Sequence, residues 1–200
     1  PAPGRRRSGL WRLRAGFCGR DTANGIWCWD SGIPTIQETD VWPGSQAATQ
    51  ILENDGEPLR VLSGDGITYQ GRVCFVRTDK TIACWGDNGY EDAPLFPSTP
   101  GCNGCASYPV TVLKEGQTGE PMTEIEQVVT SEGLMMAVDS SGQLWVWGDY
   151  YGLNNFPEGI PLPRHHPQLV EGLPPVDAAH FNGSAVCVLV SSDRSILCTR

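Results

Sequence analysis

What this 200-residue sequence lacks narrows its chemistry before any motif is considered. No stretch is long and apolar enough to cross a bilayer as a helix, so a soluble chain without membrane insertion is expected. There is no Gly-rich phosphate loop and no G-x-S-x-G nucleophile turn. The acids are scattered over turns, and no pair stands out as an acid–base couple. Histidine is confined to His165, His166 and His180. Cys102-Asn103-Gly104-Cys105 has no second C-x-x-C beside it, and no run of oxygen ligands has calcium-site spacing. These gaps remove the motif-marked enzymes, so the chain is read as a non-enzyme with no cofactor and no metal.

Charge is sparse, at 18% of residues, and unevenly spread. Arg5, Arg6, Arg7, Arg12, Arg14 and Arg20 fall in the first 20 residues, which hold no acid. The remaining 180 residues carry 8 basic and 23 acidic side chains, a net of -15. A body this acidic repels phosphate backbones, so nucleic acid is not an expected partner. The basic residues 1–9 read as a solvated or processed arm, with nucleic acid, an anionic surface or an acidic neighbour as other contacts for the arm alone.

What is abundant is punctuation. Gly (24) and Pro (16) break long helices and favour short strands joined by turns. Seven Trp supply large apolar surfaces for a core. The fold class expected is all-β.

The eight cysteines are patterned. Cys18 and Cys28 stand ten positions apart, as do Cys74 and Cys84, and Cys187 and Cys198 stand eleven apart. Each pair brackets a polar turn between two apolar runs, which is a hairpin signature. A hairpin folded at its centre brings such positions opposite each other, within disulfide reach. We therefore expect Cys18–Cys28, Cys74–Cys84 and Cys187–Cys198 bridges, the last across a turn one residue longer. A further segment, Met135 to Gly148, has the same layout with Met136 and Val146 at the cysteine places. An apolar pair there marks a packing position rather than a metal or redox site. Cys102 and Cys105 read as a local disulfide pinning a Pro-rich loop, with half a zinc site and a redox pair as alternatives. Paired cystines and the Asn182-Gly183-Ser184 glycosylation sequon point to a secreted or cell-surface protein.

Laid over one another, the segments make about four repeat units in residues 10–200, approximately 10–30, 31–86, 87–148 and 149–200. Trp29, Trp85 and Trp147 recur at one place, 56 and 62 residues apart, and are assigned to core packing between units. That period exceeds the roughly 40–50 residues of WD40 and kelch blades. Alternating apolar residues at Val61-Leu62-Ser63 and Ile125 to Val129 supply a further strand ahead of each hairpin.

The stretches Thr78–Gly89 and Asp139–Asp149, each a turn and a strand ending in Trp-Gly-Asp, resemble the repeat of the regulator-of-chromosome-condensation family. The link Pro167–Val176, with its Gly172-Leu173-Pro174, is similar too. Such repeats imply a seven-bladed β-propeller, and the cystines resemble those of secreted relatives. Four units correspond to about half such a ring. A fragment, a ring completed by another chain and an open array all fit that count. Open blade edges are sticky, so association with a protein partner or with copies of itself is expected.

Tyr150-Tyr151 and the second tryptophans, Trp27 and Trp145, are candidates for sugar or protein contact. His165-His166 reads as a solvated loop pair, His180 as a packed strand residue. Asp79, Asp139 and Asp193 are assigned to the same turn position, or nearly the same one, where Asp bonds nearby backbone N–H groups. The function expected is an extracellular structural or protein-interaction module. A piece of a secreted carbohydrate-binding or carbohydrate-active propeller is the alternative. A nuclear exchange factor fits poorly, because neither cystines nor an acidic body suits a reducing nucleus or chromatin.

Overall fold

The computed structural model describes residues 10–13, 16–29, 48–63, 72–88, 94–102, 104–130, 133–148, 164–181 and 185–199. The side chains of residues 10–17, 29, 63, 164 and 165 are not among those described.

These residues form strands, turns and no helix. The first sheet runs in chain order through β1 (Leu10–Leu13), β2 (Gly16–Arg20), β3 (Ile26–Trp29) and β4 (Thr49–Gln50). The second is β5 (Val61–Ser63), β6 (Val73–Arg77), β7 (Ile82–Asp87) and β8 (Cys105–Thr111). A ribbon of β9 (Leu113–Glu115) and β10 (Thr118–Pro121) follows. The third sheet is β11 (Ile125–Thr130), β12 (Leu134–Asp139), β13 (Leu144–Gly148) and β14 (Arg164–Leu169). The fourth has three described strands, β15 (Val176–Phe181), β16 (Val186–Val190) and β17 (Ile196–Cys198). Every sheet is an antiparallel meander, so each can close on short local turns. The result is an all-β, incomplete propeller.

Sheet boundaries differ from the units read off the sequence. The units read from the sequence end just after the second hairpin strand, the middle two at Trp-Gly and the first at Trp29-Asp30. The ladder instead continues past that point, pairing Ala83 with Thr111 and Trp145 with Leu169. The outer strand therefore belongs to the preceding hairpin. His165 and His166 lie on β14 rather than in a loop, which corrects the loop assignment. Backbone pairing is indifferent to side-chain type, so a polar Pro-flanked run can serve as an outer strand.

The central hairpins share one turn plan. In the first three, two hydrogen bonds close the turn, as in Arg77 N–H to Thr81 C=O (2.8 Å) and Lys80 N–H to Arg77 C=O (3.0 Å). The fourth residue is left-handed: Asn24 (φ 66°), Lys80 (64°) and Gly142 (78°). This is a type I turn followed by a left-handed residue, a common hairpin solution. In the fourth hairpin the left-handed residue is Arg194 (φ 61°), and Leu189 pairs with Ile196, so its loop holds one more residue.

Two apolar clusters fill the spaces between sheets. One gathers residues of the first three sheets, including Ile26, Phe75, Trp85, Ile125 and Trp147. The other joins the third and fourth through Val129, Val146, Val176 and Phe181. Trp85 and Trp147 are 1% and 0% exposed. Burying a side chain that large removes about 150–250 Å² from water, roughly 4–6 kcal/mol each as an upper estimate. The Trp147 indole N–H also donates to the Leu95 carbonyl at 2.8 Å, tying the third sheet to the β7–β8 connection of the second. Gly148 follows because nothing larger fits: a Cβ there would lie 2.0 Å from the Gly133 carbonyl oxygen, and its φ is +103°.

Candidate functional site

The cysteine positions come together in pairs. Cys18–Cys28, Cys74–Cys84 and Cys187–Cys198 are disulfides across the hairpins, and Cys102–Cys105 is a local one. Each cross-strand pair is directly opposite in the register, and Met136 faces Val146 in the same way. Cys102 and Cys105, bonded to each other, offer no thiolate to a metal. The first two cross-strand cystines are buried, whereas Cys187 is half-buried and Cys198 exposed.

The turns form a repeating latch between sheets. The first residue of each following sheet donates its N–H to the left-handed residue of the previous turn. Val61 reaches the Asn24 carbonyl (2.9 Å), Ile125 that of Lys80 (3.0 Å) and Val176 that of Gly142 (2.9 Å). The residue just before it accepts from its own sheet's turn: Thr78 N–H to Arg60, Ser140 to Glu124, Ser191 to Pro175. Side chains reinforce the latch, with Arg60 bonded to the Ala23 carbonyl and Lys80 paired with Glu126 at 2.6 Å. A left-handed residue turns its carbonyl outward from the hairpin, and the next sheet uses it.

Turn aspartates lock this face. Asp139 Oδ1 accepts the N–H groups of Ser141 and Gln143, while Oδ2 accepts the Trp145 indole N–H at 3.0 Å. Asp21 does the same with Ala23, Gly25 and Trp27 (2.9 Å). Asp79 and Asp193 stand later in their turns and bond Thr81 and Ser195 through backbone and hydroxyl. Asp79, Asp139 and Asp193 thus all bond backbone N–H groups within their turns, at two nearby places rather than one. Asp139 is equivalent to Asp21, at the turn's first residue, and Asp79 to Asp193. Arg77 holds the first place in the second turn and grips Glu53 with two bonds, at 2.8 and 2.9 Å. Burial pushes the Asp21, Asp79 and Asp139 carboxyls up, but their hydrogen bonds outweigh it and hold all three below the usual carboxylate value. For exposed Asp193 the Ser195 bonds lead in the same direction.

Sequence reasoning missed two other groups. Asn88, fully buried, accepts Leu95 and Phe96 N–H groups and donates to Phe96 and Ser98. Arg72 is also buried, which lowers its guanidinium to about 10 against the pull of Asp87. Nothing in the local pattern distinguishes either residue from a surface polar one.

The remaining candidates scatter. Trp27 and Trp145 are half-buried and tied to Asp21 and Asp139. His166 is exposed. His180 is exposed on β15, which corrects its assignment as a packed residue; the alternation of the strand turns Ala179 and Phe181 inward instead. Trp29 sits on β3 opposite Phe17, its side chain outside the described residues. Asn182, Tyr150 and Tyr151 also lie outside them. Among the described residues no three His, Cys, Asp or Glu side chains gather as a metal site would require.

Among the described residues, the large apolar side chains of β17 are exposed on both sides of the strand. Ile196 and Leu197 are 68% and 45% exposed. Their counterparts by register at the first of these places, Ile26, Ile82 and Leu144, are 0%, 0% and 2% exposed.

No family model matches the sequence, and no curated protein matches it either. Solved structures do. Human WBSCR16 superposes with a TM-score of 0.66 at 18% identity, over 93% of this chain and 45% of that one. Yeast RCC1 (Prp20), in its complex with Kap60, gives 0.64 at 13% identity, over 95% and 43%. Prp20p from Saccharomyces cerevisiae, in a study of its binding to Gsp1p and histones, gives 0.65 at 12% identity, over 96% and 44%. At these identities the likeness is one of fold, that of the RCC1-type β-propeller. The chain spans less than half the length of each.

Proposed function

We propose that this chain is an extracellular structural or protein-interaction module built of disulfide-stapled propeller blades, which meets other proteins through blade edges and loops. The observation that carries this reading is the cystine series. Disulfides persist in oxidising compartments and are rare in reducing ones. Here three of the four hairpins carry one at a single register position, and the fourth fills it with Met136 and Val146. The recurrence fits selection for reinforcement of a scaffold. The proteins of like fold support a binding role: yeast RCC1 was solved bound to Kap60, and Prp20p was studied for binding to Gsp1p and histones. The Asn182 sequon supports the same compartment.

The test is expression through a secretory pathway, followed by mass measurement without reductant and peptide mapping. The expected result is a mass eight hydrogens below the fully reduced chain, with a glycan on Asn182. Eight free thiols in the natively expressed protein would refute the compartment and the module with it.

A further inference from the structure

The four cystines differ in what they hold. Cys18, Cys28, Cys74 and Cys84 are 0%, 4%, 0% and 0% exposed, inside the first apolar cluster. Those two bridges and Cys187–Cys198 each join facing strands of a hairpin. Cys102–Cys105 joins no two strands. It closes a short turn within the β7–β8 connection, and both its cysteines are half-buried. Backbone bonds already define that turn. Cys102 N–H donates to the Thr99 carbonyl (3.1 Å), Thr99 N–H to the Cys105 carbonyl (3.1 Å) and Ser107 N–H to Thr99 Oγ1 (2.9 Å). This disulfide can therefore open without separating a strand pair.

Its opening has a route to the core. The Gly104 carbonyl accepts the Asn88 N–H (3.0 Å), and the buried Asn88 side chain accepts the Leu95 and Phe96 N–H groups, both at 2.9 Å. The Leu95 carbonyl in turn accepts the Trp147 indole N–H of the third sheet. The clip thus stands at the head of a hydrogen-bonded chain that ends on a buried tryptophan.

We infer that Cys102–Cys105 is a site of reversible exchange with low-molecular-weight thiols, and that its redox state sets how firmly the β7–β8 connection seats Trp147. A thiolate attacks one cystine sulfur and the S–S bond breaks, leaving a mixed disulfide and a cysteine thiolate that takes up a proton. A second thiol displaces the first from the mixed disulfide. Two thiols are thereby oxidised to one disulfide, and their two electrons and two protons end as the Cys102 and Cys105 thiols. Access governs such exchange: shielded structural disulfides resist reduction, and exposed ones are the labile, regulatory ones. Charge permits it here. Residues 94–111 contain no Asp or Glu, in a chain of net charge -9, and Asp87, which faces Cys105 across the ladder, is paired with Arg72 at 3.5 Å. An anionic thiolate is therefore little repelled at this connection. The inference goes beyond the module reading and rests on its oxidising compartment.

The test equilibrates the 200-residue protein, isolated with its four disulfides, in glutathione buffers of increasing reducing strength. Alkylation with peptide mapping and hydrogen exchange are read in the same buffers. Cys102 and Cys105 are expected to become alkylated together, at a ratio of squared reduced to oxidised glutathione at least tenfold below that needed by any other pair. At that ratio, exchange at residues 95–96 is expected to be at least fivefold faster, and exchange at Val186–Val190 unchanged. Cys102→Ser combined with Cys105→Ser should show the faster exchange in every buffer. Should that variant fail to fold, reduction of the parent chain gives the same reading. Another cystine opening before Cys102–Cys105 or together with it, or equal exchange at residues 95–96 in both redox states, would overturn the inference and leave the module standing. Eight free thiols in the natively expressed protein would remove the compartment and the exchange site with it.

Discussion

Replacing Gly148 by Ala tests the account of the Trp-Gly dipeptide most directly. The added Cβ would stand 2.0 Å from the Gly133 carbonyl oxygen and 2.8 Å from Leu95 Cδ2. The leucine can rotate, but the carbonyl is backbone and belongs to the entry into β12, where Leu134 pairs with Gly148. Relieving the clash requires the two strands to separate by about 1 Å at the point where Trp147 is buried. Overpacking of this kind costs about 1–3 kcal/mol. The backbone conformation, φ +103°, adds roughly 1–3 kcal/mol for a residue with a Cβ. The sum is about 2–6 kcal/mol. Gly172→Ala is the control: its φ is +74°, but nothing lies within 4 Å of its Cβ. It should therefore show only the conformational cost, about 1–2 kcal/mol. Urea unfolding followed by tryptophan fluorescence measures both, under oxidising conditions that keep the disulfides intact. If Gly148→Ala is no more destabilised than Gly172→Ala, the steric explanation is refuted.

The hairpin register predicts a further disulfide: in Met136→Cys combined with Val146→Cys, the new thiols should oxidise to each other and, from a loop of that length, stabilise the chain by about 2–3 kcal/mol. Peptide mapping that finds the two thiols free would contradict the register. The turn aspartates predict acid sensitivity. Because their folded pKa values are depressed, their stabilisation is complete above the ordinary carboxylate pKa of 3.8 and is lost as the pH falls through the lower folded value. Asp139→Asn should therefore flatten the stability profile below about pH 4, relative to the parent chain, when unfolding is followed from pH 7 to pH 2. An unchanged acid limb would show that the Trp145 and Ser141 bonds to Asp139 do not set it.

The hairpins were legible because their causes are local. Cysteines ten positions apart fall opposite each other once a short turn is placed between them, and Asn24, Lys80 and Gly142 occupy the left-handed place that such a turn needs. The outer strands were not legible. Thr49–Gln50 and Arg164–Leu169 have neither alternation nor β-branched runs, and they exist because a neighbouring strand offers free backbone groups. Asp139 was matched to Asp79 by likeness of the surrounding residues. Only the register, counted from Met136 and Cys74, shows that its counterpart is Asp21.

The division follows the range of the forces. The sequence alone determined the turns, the strand pairs beside them, the facing cysteines and the all-β class, since each depends on a few adjacent residues. Only the tertiary structure decided how the sheets are joined and what they leave uncovered. The latch from Asn24 to Val61 spans 37 positions and exists only when two sheets meet. His180 is exposed because Ala179 and Phe181 face the neighbouring sheet. Ile196, of the same residue type as buried Ile26 and Ile82, is exposed because burial is set by the surface opposite, and a residue does not encode its neighbour.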